Sequence, residues 1–200
     1  MPCLLLISSW CLCPFFAGDA ISGEFEKKTV YSVFTLPQKK TTMFMGKQFS
    51  TTIMAGAIIG LYYLVVFAET KVIYHEPMDH DFWASLLVAL LYTAGAVGLT
   101  FLFSAFLPTG IQSTLLSFFT LLLIMPIAGV MLMVAKIEPW FFITYQGELV
   151  TDVFGARPIE TGYFTITVPD YTQGIIVMLI YATIIPLIGI LYAAKIRTPE

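Results

Sequence analysis

The densest set of metal-ligating side chains in this sequence is His75-Glu76-Pro77-Met78-Asp79-His80-Asp81, which places two histidines, a methionine and three carboxylates within seven residues. Imidazole and thioether together suit copper. The spacing matches no defined coordination geometry, so a solvated acidic loop is the better reading of the His75/Met78/His80 segment. Cys3, Cys11 and Cys13 crowd the apolar opening stretch. There a thiol serves as a small lipid-compatible side chain rather than as part of a disulfide framework or zinc site. Gly46-Lys47 is followed by Gln48 and lacks the upstream glycine of a GxxxxGK[ST] loop, so no phosphate cradle of that kind is expected. HExxH, GxSxG and CxxC do not occur. The chain is therefore expected to be no enzyme and to hold no metal or cofactor directly.

The elements that must position these residues belong to a membrane. Of the 200 residues, 58% are hydrophobic and only 12% charged, and the mean hydropathy is +0.86. Charge is absent from 2–18, 48–68, 82–135 and 171–194. A helix needs about 20 apolar residues to cross the hydrocarbon core, so 82–135 must cross twice. Pro108-Thr109-Gly110 is the break, because proline removes a donor and glycine accepts a tight turn. The expected fold is an all-α integral membrane bundle of about five transmembrane helices, at 2–18, 48–68, 82–107, 111–135 and 171–194. A net charge of -3 gives no electrostatic basis for binding nucleic acid.

Orientation follows from the basic residues. With 19–47 and the tail 195–200 inside, the inner segments hold Lys27, Lys28, Lys39, Lys40, Lys47, Lys195 and Arg197; the outer ones hold Lys71, Lys136 and Arg157. That asymmetry places the C-terminus in the cytoplasm. The expected spans contain no Asp, Glu, Lys, Arg or His, which argues against a proton- or sodium-driven pump. They carry small and hydroxyl residues instead: Gly56 and Gly60, Ala94, Gly95 and Gly98, Ser113, Thr114, Ser117 and Thr120. Internal helix packing is their simplest role. Pro126 with Gly129 and Pro186 with Gly189 mark expected kinks.

The segment 136–170 reads as an extracellular cap. Phe142, Tyr145, Leu149 and Val153 recur at helical spacing opposite Thr144, Gln146, Glu148 and Asp152, which predicts an amphipathic surface helix ended by Gly155. Phe164 to Val168 alternate as a short extended stretch before Pro169. On the cytoplasmic side, Val30, Val33 and Phe34 form an apolar patch, Pro37 closes that element, and Lys39 and Lys40 follow. Such a patch suits docking onto a soluble partner and suits anionic membrane lipid almost as well.

In this segment the sequence resembles the permease subunits of type 2 ABC transporters. Their loop reads I-x-G-E, a charged stretch, a threonine, a proline, a basic residue and G-K, matched here by Ile21, Gly23, Glu24, Thr29, Pro37, Lys40, Gly46 and Lys47. Lys28 and Phe25 stand where the family usually has a glycine and a charged residue. Phe103-Ser104-Ala105 before a short Pro108 turn, Pro126 in the next span, and a re-entrant or surface helix before the last span extend the likeness over about residues 17–194. The resemblance implies an exporter half in the cell membrane. It would pair with a second permease copy or homologue and dock a separate ABC nucleotide-binding ATPase subunit, which would bind the ATP. Glu24, Lys27, Thr29, Val33, Phe34, Pro37 and Lys40 would then form the ATPase-coupling interface. Family members have six spans, so the resemblance also implies that a first span and its entry helix are missing, through a shortened gene product or a misplaced start methionine.

Two other classes fit the spans. A receptor or assembly factor would use the same loop to bind something other than an ATPase. An intramembrane enzyme would need polar catalytic groups at depth, where only hydroxyls occur. The topology itself is testable in intact cells. With the three native cysteines replaced by serine, Thr151→Cys should react with an impermeant thiol reagent and Ser32→Cys should be protected; the reverse pattern overturns the orientation.

Overall fold

The computed structural model describes residues 13–26, 40–74, 80–152 and 170–196. All regular structure among them is helical. After a helical turn at 13–17 come α1 (Ser22–Glu26), α2 (Lys40–Glu69), α3 (His80–Phe106), α4 (Gly110–Phe119), α5 (Met125–Val134), α6 (Ile143–Gln146), α7 (Leu149–Asp152) and α8 (Tyr171–Ile196). Helix α2 ends in a π-helical turn, Thr70–Tyr74, and a second, Thr120–Ile124, joins α4 to α5. Among the described residues, four stretches are long and apolar enough to cross a membrane: Thr41–Val72, Asp81–Phe106, Gly110–Val134 and Tyr171–Lys195. This is the architecture of a multi-pass membrane protein. Of the expected span 2–18, only 13–18 lies within the described residues, and Cys13, Ala17 and Gly18 there are buried.

Helix α3 is the mast. Over half of its apolar window (56%) is buried, against 17% for Thr41–Val72, so α3 organises the bundle and α2 leans on it with most of its surface outward. The most extensive helix pairing is α3 with α8, and glycine permits it. A Cβ on Gly98 would run into the Tyr181 carbonyl oxygen and sit 3.1 Å from Pro186 Cδ. One on Gly189 would lie 3.2 Å from Leu102 Cα. Close backbone approach of this kind is how apolar helices gain contact when burial from water supplies no drive. Pro186 is accommodated inside a continuous α8, packed against Gly98. Gly60 has nothing within 4 Å of where its Cβ would stand, and Gly56 only Leu90, so the GxxxG pair is not an internal seam.

Two expectations about boundaries change. The span drawn at 48–68 begins as helix at Lys40, so residues 40–47 of the expected loop are the first two turns of α2. Charge at Lys47 limits the hydrocarbon but not the helix, and Phe44 is fully buried with Ile21, Phe101, Ala105, Ile190 and Ala193. The predicted surface helix of the cap is instead two short helices separated at Gly147-Glu148, and Thr144 and Gln146, assigned to the polar side, are buried. Their periodicity is genuine, but protein lies on both sides of the segment.

Define the lower end of the bundle as the one with Phe106, Gly110 and Lys195, and the upper end as the one with Asp81, Val134 and Tyr171. After Val134 the chain turns at Lys136, which adopts a left-handed backbone (φ 58°), and descends again. Ile143 reaches Gly95, whose Cβ would stand 2.6 Å from Ile143 Cδ1; Gly95 lies about 21 Å below Asp81 at 1.5 Å per residue. Leu149 and Gln146 then abut Gly174, about 5 Å below Tyr171. The 137–152 segment is thus a re-entrant plug between α3, α5 and α8.

Two alanine substitutions of like chemistry should have opposite signs. Gly98→Ala must displace backbone and should lower stability by about 1–3 kcal/mol. Gly60→Ala fills open space and should raise it by about 0.5–1 kcal/mol through helix propensity. Denaturant-titrated unfolding in detergent micelles measures both; equal effects would contradict the packing described.

Candidate functional site

The residues of the I-x-G-E and G-K motifs meet at the lower end. Gly18 ends the helical turn at 13–17 by donating its N–H to the Pro14 carbonyl at 2.8 Å, and a side chain there would collide with Thr114 of α4. The chain then turns into α1, whose leading N–H groups have no intrahelical acceptor. Ser104, near the foot of α3, supplies one. Its Oγ accepts the N–H of Ile21 at 3.0 Å and of Ser22 at 3.1 Å. With both lone pairs committed, the Ser104 proton points to Ser22 Oγ at 3.2 Å, and Ser22 donates onward to the Gly18 carbonyl at 3.1 Å. Both serines are fully buried, so this chain of donors has one consistent direction.

Charge completes the arrangement. Lys47 pairs with Glu24 and donates to the Ala20 carbonyl at 2.8 Å. This ion pair is partly exposed, with side-chain exposures of 31% and 20%, so its stabilisation is modest and its value lies in fixing register. Glu26 Oε2 accepts the Gly110 N–H at 2.9 Å, an anion at the positive end of the next span helix. Asp19 sits where a Cβ on either Gly23 or Gly110 would fall, so its carboxylate lies against both backbones. The segment 18–26 is thereby bolted to the feet of α2, α3 and α4 together.

Of the expected interface, Glu24 is placed in this cluster, with Lys47 of the same motif as its partner. Lys40 is the first residue of α2. Lys27, Thr29, Val33, Phe34 and Pro37 lie outside the described residues, as do His75 to Asp79, Gly155 and the stretch at 164–168. Ser22 and Glu26 were not anticipated, and Ser104 only as part of the Phe103-Ser104-Ala105 stretch that closes a span. A serine preceding Gly-Glu is a helix-start signal that could have marked Ser22, whereas nothing local marks Ser104 as its acceptor.

The upper end uses the same device on the plug. Ser85 Oγ donates to the Val150 carbonyl at 3.0 Å, which leaves Tyr63 as donor in the 2.7 Å contact between the two hydroxyls. Tyr181 OH donates to the Phe141 carbonyl at 3.1 Å, and Gln146 Nε2 to the Trp140 carbonyl at 2.6 Å. Gln146 Oε1 is buried with no hydrogen-bond partner. Among the described residues no group of three or more His, Cys, Asp or Glu could hold a metal ion. No family model, no curated protein and no solved structure matches this chain.

Burial pushes the Glu148 carboxyl, between α6 and α7, up from 4.5 to about 7. An acid raised in the folded state destabilises it once ionised, so plug docking is strongest at low pH and weakens as pH rises from about 4.5 through about 7. Thermal unfolding between pH 4.5 and 8 should show that decline, and Glu148→Gln should flatten it. A wild-type stability rising over the same window would contradict the assignment.

Proposed function

We propose that this chain is the membrane-spanning permease subunit of an ATP-driven ABC transporter of the type 2 class, working as an exporter in the cell membrane. The segment 19–39 and the foot of α2 face the cytoplasm in this reading, and the segment couples to a separate ATPase. The observation that carries the reading is the convergence of Ile21, Gly23, Glu24 and Lys47 at one end of the bundle, locked to three spans at once. A segment that must carry force from a soluble motor into membrane helices needs such multiple attachment, because a tether to one helix would yield before the others moved. The re-entrant plug at the opposite end supports the same reading by closing the other face of the bundle. A second permease copy or a homologue completes the transporter, and the partner ATPase binds the nucleotide.

The work of docking then falls to Val33 and Phe34, with Lys27, Thr29, Pro37 and Lys40 in the same stretch of sequence. Phe34→Ala should weaken recruitment of an ABC ATPase subunit to membranes carrying the chain by about 2 kcal/mol, roughly thirtyfold in affinity, if the ring fills a pocket. Lys40→Ala should act less and mainly at low salt. Adsorption to lipid reverses the ranking, with lysines dominating at about 1 kcal/mol each. Quantitative recovery of the ATPase with each variant is the measurement. Unchanged recovery with Phe34→Asp removes the coupling role, and recovery of a different soluble partner in place of an ATPase assigns the chain to the receptor or assembly-factor class.

A further inference from the structure

The third span runs as helix from Gly110 to Val134 but is interrupted in its α-helical ladder. Between α4 and α5 the chain makes a π-helical turn at Thr120–Ile124, where the Met125 N–H returns five residues to the Thr120 carbonyl. Pro126 follows at once. Proline has no N–H to give the preceding turn and its ring crowds the carbonyl four residues back, so the ladder widens just ahead of it. The Thr120 N–H still reaches the Leu116 carbonyl, shared with that of Ser117, so the ladder is α-helical up to the entry of the π turn. This lies about 15–24 Å above Gly110, in the middle of the span.

The two halves hold different partners. Below the break, α4 packs on α3 and α1, its Gly110 N–H is capped by Glu26, and Gly110, Ser113 and Ser117 are buried. Above it, α5 buries only Gly129 and packs on α6 of the plug, with Phe142 against Gly129. One half therefore belongs to the lower latch and the other to the upper plug.

We infer that Thr120–Pro126 is a hinge, across which α5 swings against the plug, which α3 and α8 hold, while α4 stays with α1 and α3. The hinge does not depend on what drives it, so it stands or falls apart from the ATPase reading. Helix α8 is the contrast: its Pro186 is seated against Gly98 of α3 inside a continuous helix, and no swing is expected there.

The test is a distance distribution by pulsed electron paramagnetic resonance on the full chain in lipid nanodiscs. Spin labels go at Ile111 and Met131, which are 70% and 69% exposed and stand on the two halves. The otherwise native chain should give a broad or two-population distribution. Pro126→Ala should restore the missing donor and collapse it to a single narrow population, and Pro186→Ala should leave it as in the native chain. A native distribution as narrow as that of Pro126→Ala overturns the hinge. So does a breadth that persists in Pro126→Ala while circular dichroism and gel filtration show a folded protein.

Discussion

A backbone N–H or C=O in apolar surroundings must find a partner within the protein, because lipid offers none. The long helices meet that demand themselves. The irregular pieces, 18–22 at the lower end and 137–150 at the upper, cannot, and their placement depends on side chains that the spans lend them. Ser104 takes two amide protons and Lys47 serves the Ala20 carbonyl, while Glu26 of the segment itself returns a bond to the Gly110 amide of α4. At the other end Ser85 and Tyr181 each serve a carbonyl, and Gln146 serves one from within the plug itself. Ser104, Ser85 and Tyr181 thus supply hydrogen bonds to backbone outside the spans, whereas hydroxyls such as Thr93, Thr100 and Ser117 return theirs to carbonyls of their own helices.

That supply works only because α3 and α8 stand so close. Gly95, Gly98 and Gly189 let the two backbones approach, and the same closeness at Gly95 leaves room for Ile143 to enter beside them. Both latching serines, Ser85 and Ser104, project from α3, near its upper and lower ends. The best-buried span therefore anchors both irregular segments.

Much of this was legible in the residues. The break at Pro108-Thr109-Gly110 appears as the end of α3 at Phe106 and the start of α4 at Gly110, with Thr109 accepting the Gln112 N–H as cap. Long uncharged runs reveal spans because the bilayer demands them. The depth of the plug was not legible: Thr144 and Gln146 are polar, and polarity at helical spacing reads as a solvent face until tertiary structure shows protein on that side. The early start of α2 was hidden for a related reason, since Lys47 looks like a membrane boundary until Glu24 and Ala20 are seen to receive it. In the candidate site, Glu24 and Lys47 are visible as motif residues, whereas Ser104 lies more than eighty residues away in sequence and only folding identifies it.

The central claim is that side chains of α3 hold the two irregular segments independently, one at each end. Hydrogen exchange resolved by peptide, on the full chain in lipid nanodiscs, tests it most directly. Ser104→Ala should accelerate exchange across residues 18–26 and leave 141–150 as in the native chain, and Ser85→Ala should do the reverse. Exchange that is unchanged in both variants, or that spreads to both ends in either one, would contradict the account.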